Sequence, residues 1–518
     1  MLGPYVASDL EVNSIQIPTK TVKGAEHFSS QLLQPTADIS TLKKIQTPLL
    51  ALRRVNTSSL QLALQTFQST ESTFQEFGAS TDPLVEESTE QIIWNPGSMM
   101  GRLCNQSPLF LEAMIAWKTL ALPGITVLSP FFAIFIPYLF LYVHGMQPSF
   151  QEYLTTIRTV VRGAVTVPSI LQAKGEGDRV GFVLESLYIC VMIGIFLSSL
   201  WTQVTSALHL RTIAASLREK GTFLRTGITA AESIYSILSS FPPKIRKGLQ
   251  SLLLEGEHVL EPFKHTTDTG IGLFARLWNN KSPLEPLVRW VGKVDVHVAI
   301  ASLSTICFPR WTSTSHIEFK NVIHPSLANP IPNDVLIQKG AILTGPNRGG
   351  KSTFCKAIGV SLLCAQSWGF AFASNALLSP FKRIETALSP ADTLGRLSLF
   401  EAEIEFAKSV VEASEQPLFV MMDEIFHSTN AHDGVEASRV FLNRLYALPN
   451  TISLISTHYR ALAEEFSTIH SLQAETLPQK DGLTYTYKIL PGISTASSVM
   501  DILREKGLLK NQLPSTEP

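Results

Sequence analysis

The sequence predicts an α/β domain in its C-terminal part, preceded by a mainly α-helical region, on three observations. A short apolar run, residues 341–344, enters Gly345-Pro346-Asn347-Arg348-Gly349-Gly350-Lys351-Ser352-Thr353, and a helix-compatible stretch follows to position 363. A second apolar run, 418–422, ends on Asp423-Glu424. Positions 208–304 read as helices with few β signals, whereas from Thr314 onward short strands, turns and helices alternate.

The first observation carries most chemistry. Gly345 to Ser352 has the spacing G-x-x-x-x-G-K-[ST] of the phosphate-binding loop of P-loop NTPases. Backbone N–H groups must converge on phosphate oxygens, which glycines permit, and the next helix turns the positive end of its dipole to the same anion. Lys351 is placed to reach the β- and γ-phosphates and the Ser352 hydroxyl to ligate Mg²⁺. The predicted nucleotide contacts are Gly345, Pro346, Asn347, Gly349, Gly350, Lys351, Ser352 and Thr353. The competing reading is a glycine-rich turn without a ligand. The ordered strand, loop and helix favour the phosphate loop.

The run 418–422 reads as a buried parallel strand whose C-terminal edge presents two acids. Asp423 would hold Mg²⁺ opposite Ser352, and Glu424 would polarise the attacking water as general base. A third strand, 451–455, ends at Ser456-Thr457-His458-Tyr459, where His458 is placed to sense the γ-phosphate. Ser398 stands at a predicted helix start, which offers a hydroxyl and N–H groups to an anion.

Composition sets the wider frame. At 518 residues, two or three domains are expected. With 42 basic and 43 acidic residues, no global field advertises nucleic acid, although a local basic face is compatible with that total. Charged residues make up only 16% against 45% hydrophobic, a balance pointing to membrane-like segments. Five scattered cysteines without a C-x-x-C pair argue against a disulfide framework or zinc site and fit a reducing compartment. Cys355, beside the loop, reads as a packing residue. No secretory signal pattern opens the sequence.

Taken in order, residues 1–48 give no firm element, and 49–77 carry Leu60, Leu64, Phe67 and Phe74 at helical spacing. Another helix is expected around 109–119. Residues 120–143 and 186–208 then contain no charged side chain. Each is long enough at 1.5 Å per residue to cross roughly 30 Å of hydrocarbon. Membrane spans are therefore expected, the alternative being a buried helical hairpin. Four basic residues lie between the runs (Arg158, Arg162, Lys174, Arg179) and six flank them (Arg102, Lys118, Arg211, Arg218, Lys220, Arg225), which leans toward both termini being cytoplasmic. Breaks are expected at Pro242-Pro243 and Ser282-Pro283, and a helix over 286–303.

The order and spacing of these pieces resemble the ATPase domain of the MutS family of DNA mismatch repair proteins. Thr344 to Thr353 is similar to T-G-P-N-M-G-G-K-S-T, with Arg348 in place of methionine. Ser398 to Ile404 resembles S-x-F-x-x-E-M. Asp423-Glu424-Ile425 through Asp433-Gly434 matches the length and ends of D-E-I-G-R-G-T-S-T-x-D-G, with Phe426-His427-Ser428 replacing G-R-G. Ser456-Thr457-His458-Tyr459 resembles [AS]-T-H-Y. Asp295, His324-Pro325 and Pro332-Asn333-Asp334 upstream, and Pro491-Gly492, Ser494 and Ser497-Ser498 downstream, extend the likeness over about 290–508.

The resemblance implies an ABC-type fold, ATP with Mg²⁺, and a homodimer in which Ser398 of one subunit faces the γ-phosphate held by the other. The family's mismatch-reading wedge has no counterpart: Phe74-Gln75-Glu76 and Phe150-Gln151-Glu152 lack the N-terminal α/β context. The family's C-terminal dimerisation extension reads as short or missing after Leu509. The expected organisation is a helical region over 1–118, two candidate spans with their loop over 119–208, a helical core over 209–305 and the ATPase domain over 306–518. Two functions compete: an intracellular ATPase coupled to duplex DNA of mismatch-repair type, with Lys244–Lys247 and 211–225 as basic clusters, or a membrane-anchored ATPase acting on a protein partner. An ABC transporter is disfavoured, having too few spans and no L-S-G-G-Q.

Overall fold

The structure is a computed structural model. It describes all residues except 80–88, 95–97, 147, 165–176, 265–269, 389–397, 413–416, 467, 480–481, 507 and 509–518. The chain forms two compact units. One comprises Met1–Gln68, Ala230–Leu260 and Pro286–Pro518, and the other Ser69–Thr229 with Glu261–Glu285.

Helices dominate the first three hundred residues: α1 (Val6–Asp9), α2 (Val22–Leu32), α3 (Ile39–Leu52), α4 (Ser58–Ala79), α5 (Met99–Asn105), α6 (Pro108–Ala116), α7 (Leu122–Val143), α8 (Phe150–Ala164), α9 (Gly177–Ser240), α10 (Pro243–Gly248), α11 (Gln250–Leu260), α12 (Gly270–Asn279) and α13 (Leu284–Ser302). The C-terminal part is mixed α/β. Its strands are β1 (Arg310–Trp311), β2 (Ile317–Val322), β3 (Asn333–Ile337), β4 (Gly340–Thr344), β5 (Asn375–Leu378), β6 (Arg383–Ala387), β7 (Leu418–Met422), β8 (Thr451–Ser456), β9 (His470–Gln479) and β10 (Gly482–Pro491). Its helices are α14 (Lys351–Trp368), α15 (Leu399–Val411), α16 (Ala431–Ala447), α17 (Arg460–Glu465) and α18 (Val499–Glu505).

Six strands form the main sheet in the order β10-β9-β4-β8-β7-β6. Its strands pair in parallel except β10, which runs antiparallel to β9. β4, β7 and β8 are buried along their whole length, which explains why they read as unbroken apolar runs. Alternation sorts their side chains between two cores. Ala341, Leu343, Phe419, Met421, Ile452 and Leu454 join one, and Ile342, Val420, Met422 and Ile455 the other. A smaller sheet, β1-β5-β2-β3, lies beside it in the same unit.

The N-terminal segment differs from expectation. Residues 1–48, which show no clear periodicity, form α1 to α3 inside this α/β unit. Thr21 and Asp38 cap α2 and α3 by accepting from backbone N–H groups. Val6, Leu10, Phe28 and Leu32 share one core with Ile358, Leu362, Phe419 and Ile452. Leu2 bridges in parallel to Ile384 of β6. The Asp9 carboxylate, buried at the other end of that strand, accepts from the Thr386 hydroxyl (2.8 Å) and the Leu388 N–H (3.0 Å). Asp295 on α13 ties down the start of α2, accepting from Lys20 N–H, Thr21 N–H and Thr21 Oγ1 at 2.7–2.8 Å. The single helix read over 49–77 is in fact two, because Asn56 accepts from the Ser58 N–H and starts a new helix after α3.

In the second unit, Phe77, Phe274 and Trp278 form an aromatic cluster, with the Lys281 ammonium 4.0 Å from the Trp278 ring centre. Arg218 donates two hydrogen bonds to Glu112. Phe74 is buried and Phe150 stacks on Phe135, so both Phe-x-Glu sequences serve packing. The helix expected around 109–119 is α6, which runs through a π-helical turn, Trp117–Ala121, into α7, and α7 continues past Pro130 and Pro137. The second apolar run belongs to the 64-residue α9. Among the described residues two helices are long and apolar enough to cross a membrane, Pro108–Phe132 and Cys190–Ser240. Only 17% and 6% of their most apolar windows are buried, so these side chains are not those of a closed protein core. Lys174, one of the basic residues counted between the runs, lies outside the described residues.

Candidate functional site

Three pieces of the sequence meet at the carboxyl edge of the main sheet, where open α/β sheets place their ligands. The glycine-rich loop joins β4 to α14, Asp423 and Glu424 follow β7, and His458 follows β8. Gly350 has a φ of +86° as the residue before α14, a conformation that glycine adopts freely. Arg348 is left-handed too (φ +68°), and its guanidinium pairs with Glu505 of α18. A Cβ on Gly345 would stand 2.7 Å from that of Ala474 on β9.

Lys351 is buried, and its ammonium donates back to the carbonyls of Gly345 (3.1 Å) and Pro346 (3.2 Å). Burial holds its pKa below the ordinary lysine value, while Glu424 and Asp423 pull the other way. With Asn347, Gly349, Gly350, Ser352, Thr353 and Glu424, Lys351 lines a cavity of about 610 Å³. The far wall includes His324, Leu327, Ile331 and Tyr487. Cys355, one residue past Phe354, is wholly buried and its thiol is pushed well up by desolvation, as suits a packing residue.

The two carboxylates are held differently. Asp423 is fixed by its own N–H, which donates to Ala387 O (3.0 Å), and by a carboxylate oxygen that accepts from the Ser456 hydroxyl. Glu424 has a left-handed backbone (φ +54°), and its N–H donates to Ser456 Oγ at 3.0 Å. Its Oε1 lies 2.7 Å from His458 Nε2. Left-handed Glu424 and Phe426 (φ +48°) turn the chain sharply after the strand, a strain that concentrates at functional sites. Asn430 caps the next helix by accepting from the Asp433 N–H (2.9 Å). A Cβ on Gly434 would come within 2.3 Å of the Tyr459 hydroxyl, so that glycine permits the close packing.

Ser398 stands apart from the cavity. It is exposed and caps α15 in a reciprocal capping box with Glu401, its hydroxyl donating to Glu401 Oε2 (2.9 Å) and accepting from the Glu401 N–H (3.3 Å). Gly395 to Leu397, which precede it in the sequence motif, lie outside the described residues. Glu403 on α15 reaches toward the turn after β7, accepting from Ser428 Oγ (2.5 Å) and lying 3.1 Å from His427 Nδ1. Phe426-His427-Ser428 therefore makes its own contacts where the family pattern has G-R-G.

The matched sequence adds the deciding observation. A family model for MutS domain V matches residues 341–513, the segment from β4 past α18. Residues 341–513 are a divergent MutS domain V. The DNA mismatch repair protein MutS of Lactobacillus delbrueckii subsp. bulgaricus (strain ATCC BAA-365 / Lb-18) is 28% identical over 270 residues, 48% of this chain and 32% of the relative. The namesakes from Lactobacillus helveticus (strain DPC 4571) and Streptococcus sanguinis (strain SK36) are 26% and 25% identical over similar spans. The chain covers about a third of the length of these relatives.

At this site a divalent metal meets a small set of donors. Among the described residues there is no group of three or more His, Cys, Asp or Glu side chains suited to a metal. One exposed hydroxyl, Ser352, and one carboxylate, Asp423, suit Mg²⁺, which takes its remaining ligands from substrate phosphates and water. Sequence reasoning missed Tyr487, Asp9 and the Arg348–Glu505 pair. Each depends on a bulge or a long-range contact that no local pattern announces.

Proposed function

We propose that this chain binds and hydrolyses ATP at the 610 Å³ cavity, as a P-loop ATPase of ABC type. The observation that carries this reading is the convergence of Lys351, Ser352 and Glu424 on one cavity at the strand ends. The loop N–H groups and Lys351 would bind the triphosphate, exchanging the carbonyl contacts that Lys351 now makes. Ser352 and Asp423 would hold Mg²⁺, which when bound supplies charge neutralisation at the phosphates. Glu424 would accept the proton of the attacking water, and His458, hydrogen-bonded to it, would orient that carboxylate. Exposed Ser398 supports a homodimer through the ATPase domain, in which it faces the partner's nucleotide.

The names of the relatives support coupling of this ATPase to duplex DNA of mismatch-repair type. The test is ATP turnover of the detergent-purified full chain with and without duplex DNA at low and moderate salt. Stimulation that fades with salt and is lost in Lys351→Ala is the expected result. Turnover indifferent to DNA overturns the coupling. No turnover in the wild-type chain overturns the ATPase reading.

A second reading has its own observation. The exposed apolar surfaces of α7 and the first half of α9 favour a membrane-anchored ATPase that acts on a protein partner, with the ATPase domain in the cytoplasm. Extraction from membranes only by detergent is the expected outcome. Recovery in the soluble fraction removes the anchor.

A further inference from the structure

The tip of the glycine-rich loop carries a cation that the family pattern lacks. Where that pattern has methionine, this chain has Arg348, with a left-handed backbone, φ +68°. The next N–H, of Gly349, donates to Pro346 O (3.2 Å) and closes the turn. Pro346 and Gly349 are buried, while Asn347 and Arg348 are exposed. Arg348 lines the same cavity as Lys351, Ser352 and Glu424. A charged residue in a strained conformation beside an anion site is placed there for a reason other than packing.

The Arg348 guanidinium pairs with Glu505, the last residue of α18. That helix is lightly held. None of its seven residues is buried, and Val499 and Met500 are 59% and 53% exposed. Its approach is firmer. The Ser494 N–H donates to Thr344 Oγ1 on β4 (2.8 Å), Ser498 is buried, and Asp501 accepts from the Leu483 N–H of β10 (3.0 Å). The start of α18 is therefore anchored, and Glu505 ties its far end to the glycine-rich loop. The two side chains of that tie are 45% and 56% exposed, so water screens the pair and it exchanges partners readily.

We infer that Arg348 is a further phosphate-binding residue of this cavity and that Glu505 is its built-in competitor, so that a bound triphosphate draws Arg348 away and frees the far end of α18. The inference rests on the nucleotide reading above. A guanidinium fork donates to a carboxylate and to a phosphate with the same geometry. A triphosphate carries more negative charge than one carboxylate, with or without Mg²⁺, so it wins the exchange. Glu505 thus plays the part of a phosphate while the cavity is empty. Methionine, with neither charge nor donors, could not make this link between occupancy of the cavity and the freedom of the C-terminal helix.

The experiment is equilibrium binding of two probes, Mg-ATP and Mg-tripolyphosphate, to the full-length chain, to Glu505→Gln, to Arg348→Met and to the double variant. Amide exchange over residues 499–505 is the second readout. Removing the competitor is expected to tighten both probes about two- to fivefold. Removing Arg348 is expected to weaken both about three- to tenfold, and in that background Glu505→Gln should change nothing. Mg-ATP should speed exchange in α18 of the wild-type chain toward the rate that Arg348→Met shows without nucleotide. Tightening by Glu505→Gln that persists without Arg348 overturns the inference, since the carboxylate would then act by repulsion at a distance. Binding by Arg348→Met equal to wild type overturns it as well, as does exchange in α18 indifferent to Mg-ATP, and both leave the nucleotide site standing. Failure of the wild-type chain to bind either probe overturns the nucleotide reading itself.

Discussion

Glu424 and His458 leave two neighbouring strands and meet with Oε1 2.7 Å from Nε2. The pair is possible because β7 and β8 run parallel and in register, Met422 opposite Ile455, so both strands end at one level. Ser456 strengthens the junction by donating to Asp423 and accepting from the Glu424 N–H. This contact makes the division of labour at the site testable.

If Glu424 is the base, Glu424→Ala retains ATP binding but loses turnover by about a hundredfold or more, trapping nucleotide on the protein. His458→Ala, which leaves Glu424 present but unoriented, is expected to lose less, about tenfold. Single-turnover hydrolysis beside a binding isotherm separates the two effects. Unchanged turnover in the Glu424 variant removes its assignment.

Lys351→Ala is expected to weaken triphosphate binding by at least about tenfold, since a charged contact to phosphate is lost. It should leave folding intact or slightly improved, because the wild-type ammonium is buried against two carbonyls and its pKa is lowered by that burial. Thermal unfolding without nucleotide, set against nucleotide titration, reads both. A large drop in melting temperature with unchanged binding would contradict the assignment.

Trp368 is flanked by two histidines, His27 at 5.4 Å and His297 at 5.8 Å between ring centres, both edge-on. Burial is the main cause that lowers His27 to about 4, and Lys293, His297 and Arg289 add to it while Glu255 opposes. His297 is pushed down by burial as well. The folded state therefore keeps His27 neutral while the unfolded chain protonates near 6.5. Stability from this site is complete above pH 6.5 and is lost as pH falls toward 4, by up to roughly 3 kcal/mol. Urea midpoints at pH 7, 5.5 and 4.5 measure it, and His27→Asn should flatten the slope. A slope unaltered by that substitution would refute the attribution.

Asp295→Ala should cost about 2–4 kcal/mol by leaving two backbone N–H groups and the Thr21 hydroxyl without their acceptor. Asp295→Asn, which keeps an acceptor oxygen, should cost less. Amide exchange over residues 20–24 reports the change, faster in the alanine variant. Protection equal to wild type would mean that other contacts hold the segment.

What was legible in the sequence follows from the range of the interactions. Gly345 to Thr353, Asp423-Glu424 and His458 each announce themselves because a strand end, a tight turn and a helix start are local events. Their meeting follows from parallel strands. The N-terminal helices were not legible, although Thr21 and Asp38 are ordinary cap residues. Their apolar faces are short, and they make sense only against Ile358, Leu362 and Phe419, more than three hundred positions away. Tyr487 was hidden for the same reason. Thr484 to Ile489 reads as an alternating strand, and only Asn333 on a distant strand, hydrogen-bonded to Tyr487 O and to the Ile489 N–H, reveals the bulge in β10. The apolar runs were legible as helices, while their exposure was visible only in three dimensions.

The shared core of the α/β unit has a consequence for how the protein is made. Val6, Leu10, Phe28 and Leu32 leave the ribosome more than three hundred residues before their partners on α14, β7 and β8. All of the second unit, with its apolar helices, is synthesised in between. The early helices must therefore wait, solvated or guarded by a chaperone, until those partners are made, and closure of the core is a long-range and slow event. The apolar helices are synthesised before the strands and helices that complete the cavity beside Lys351. A nascent chain would thus expose its apolar helices before the cavity beside Lys351 was walled in.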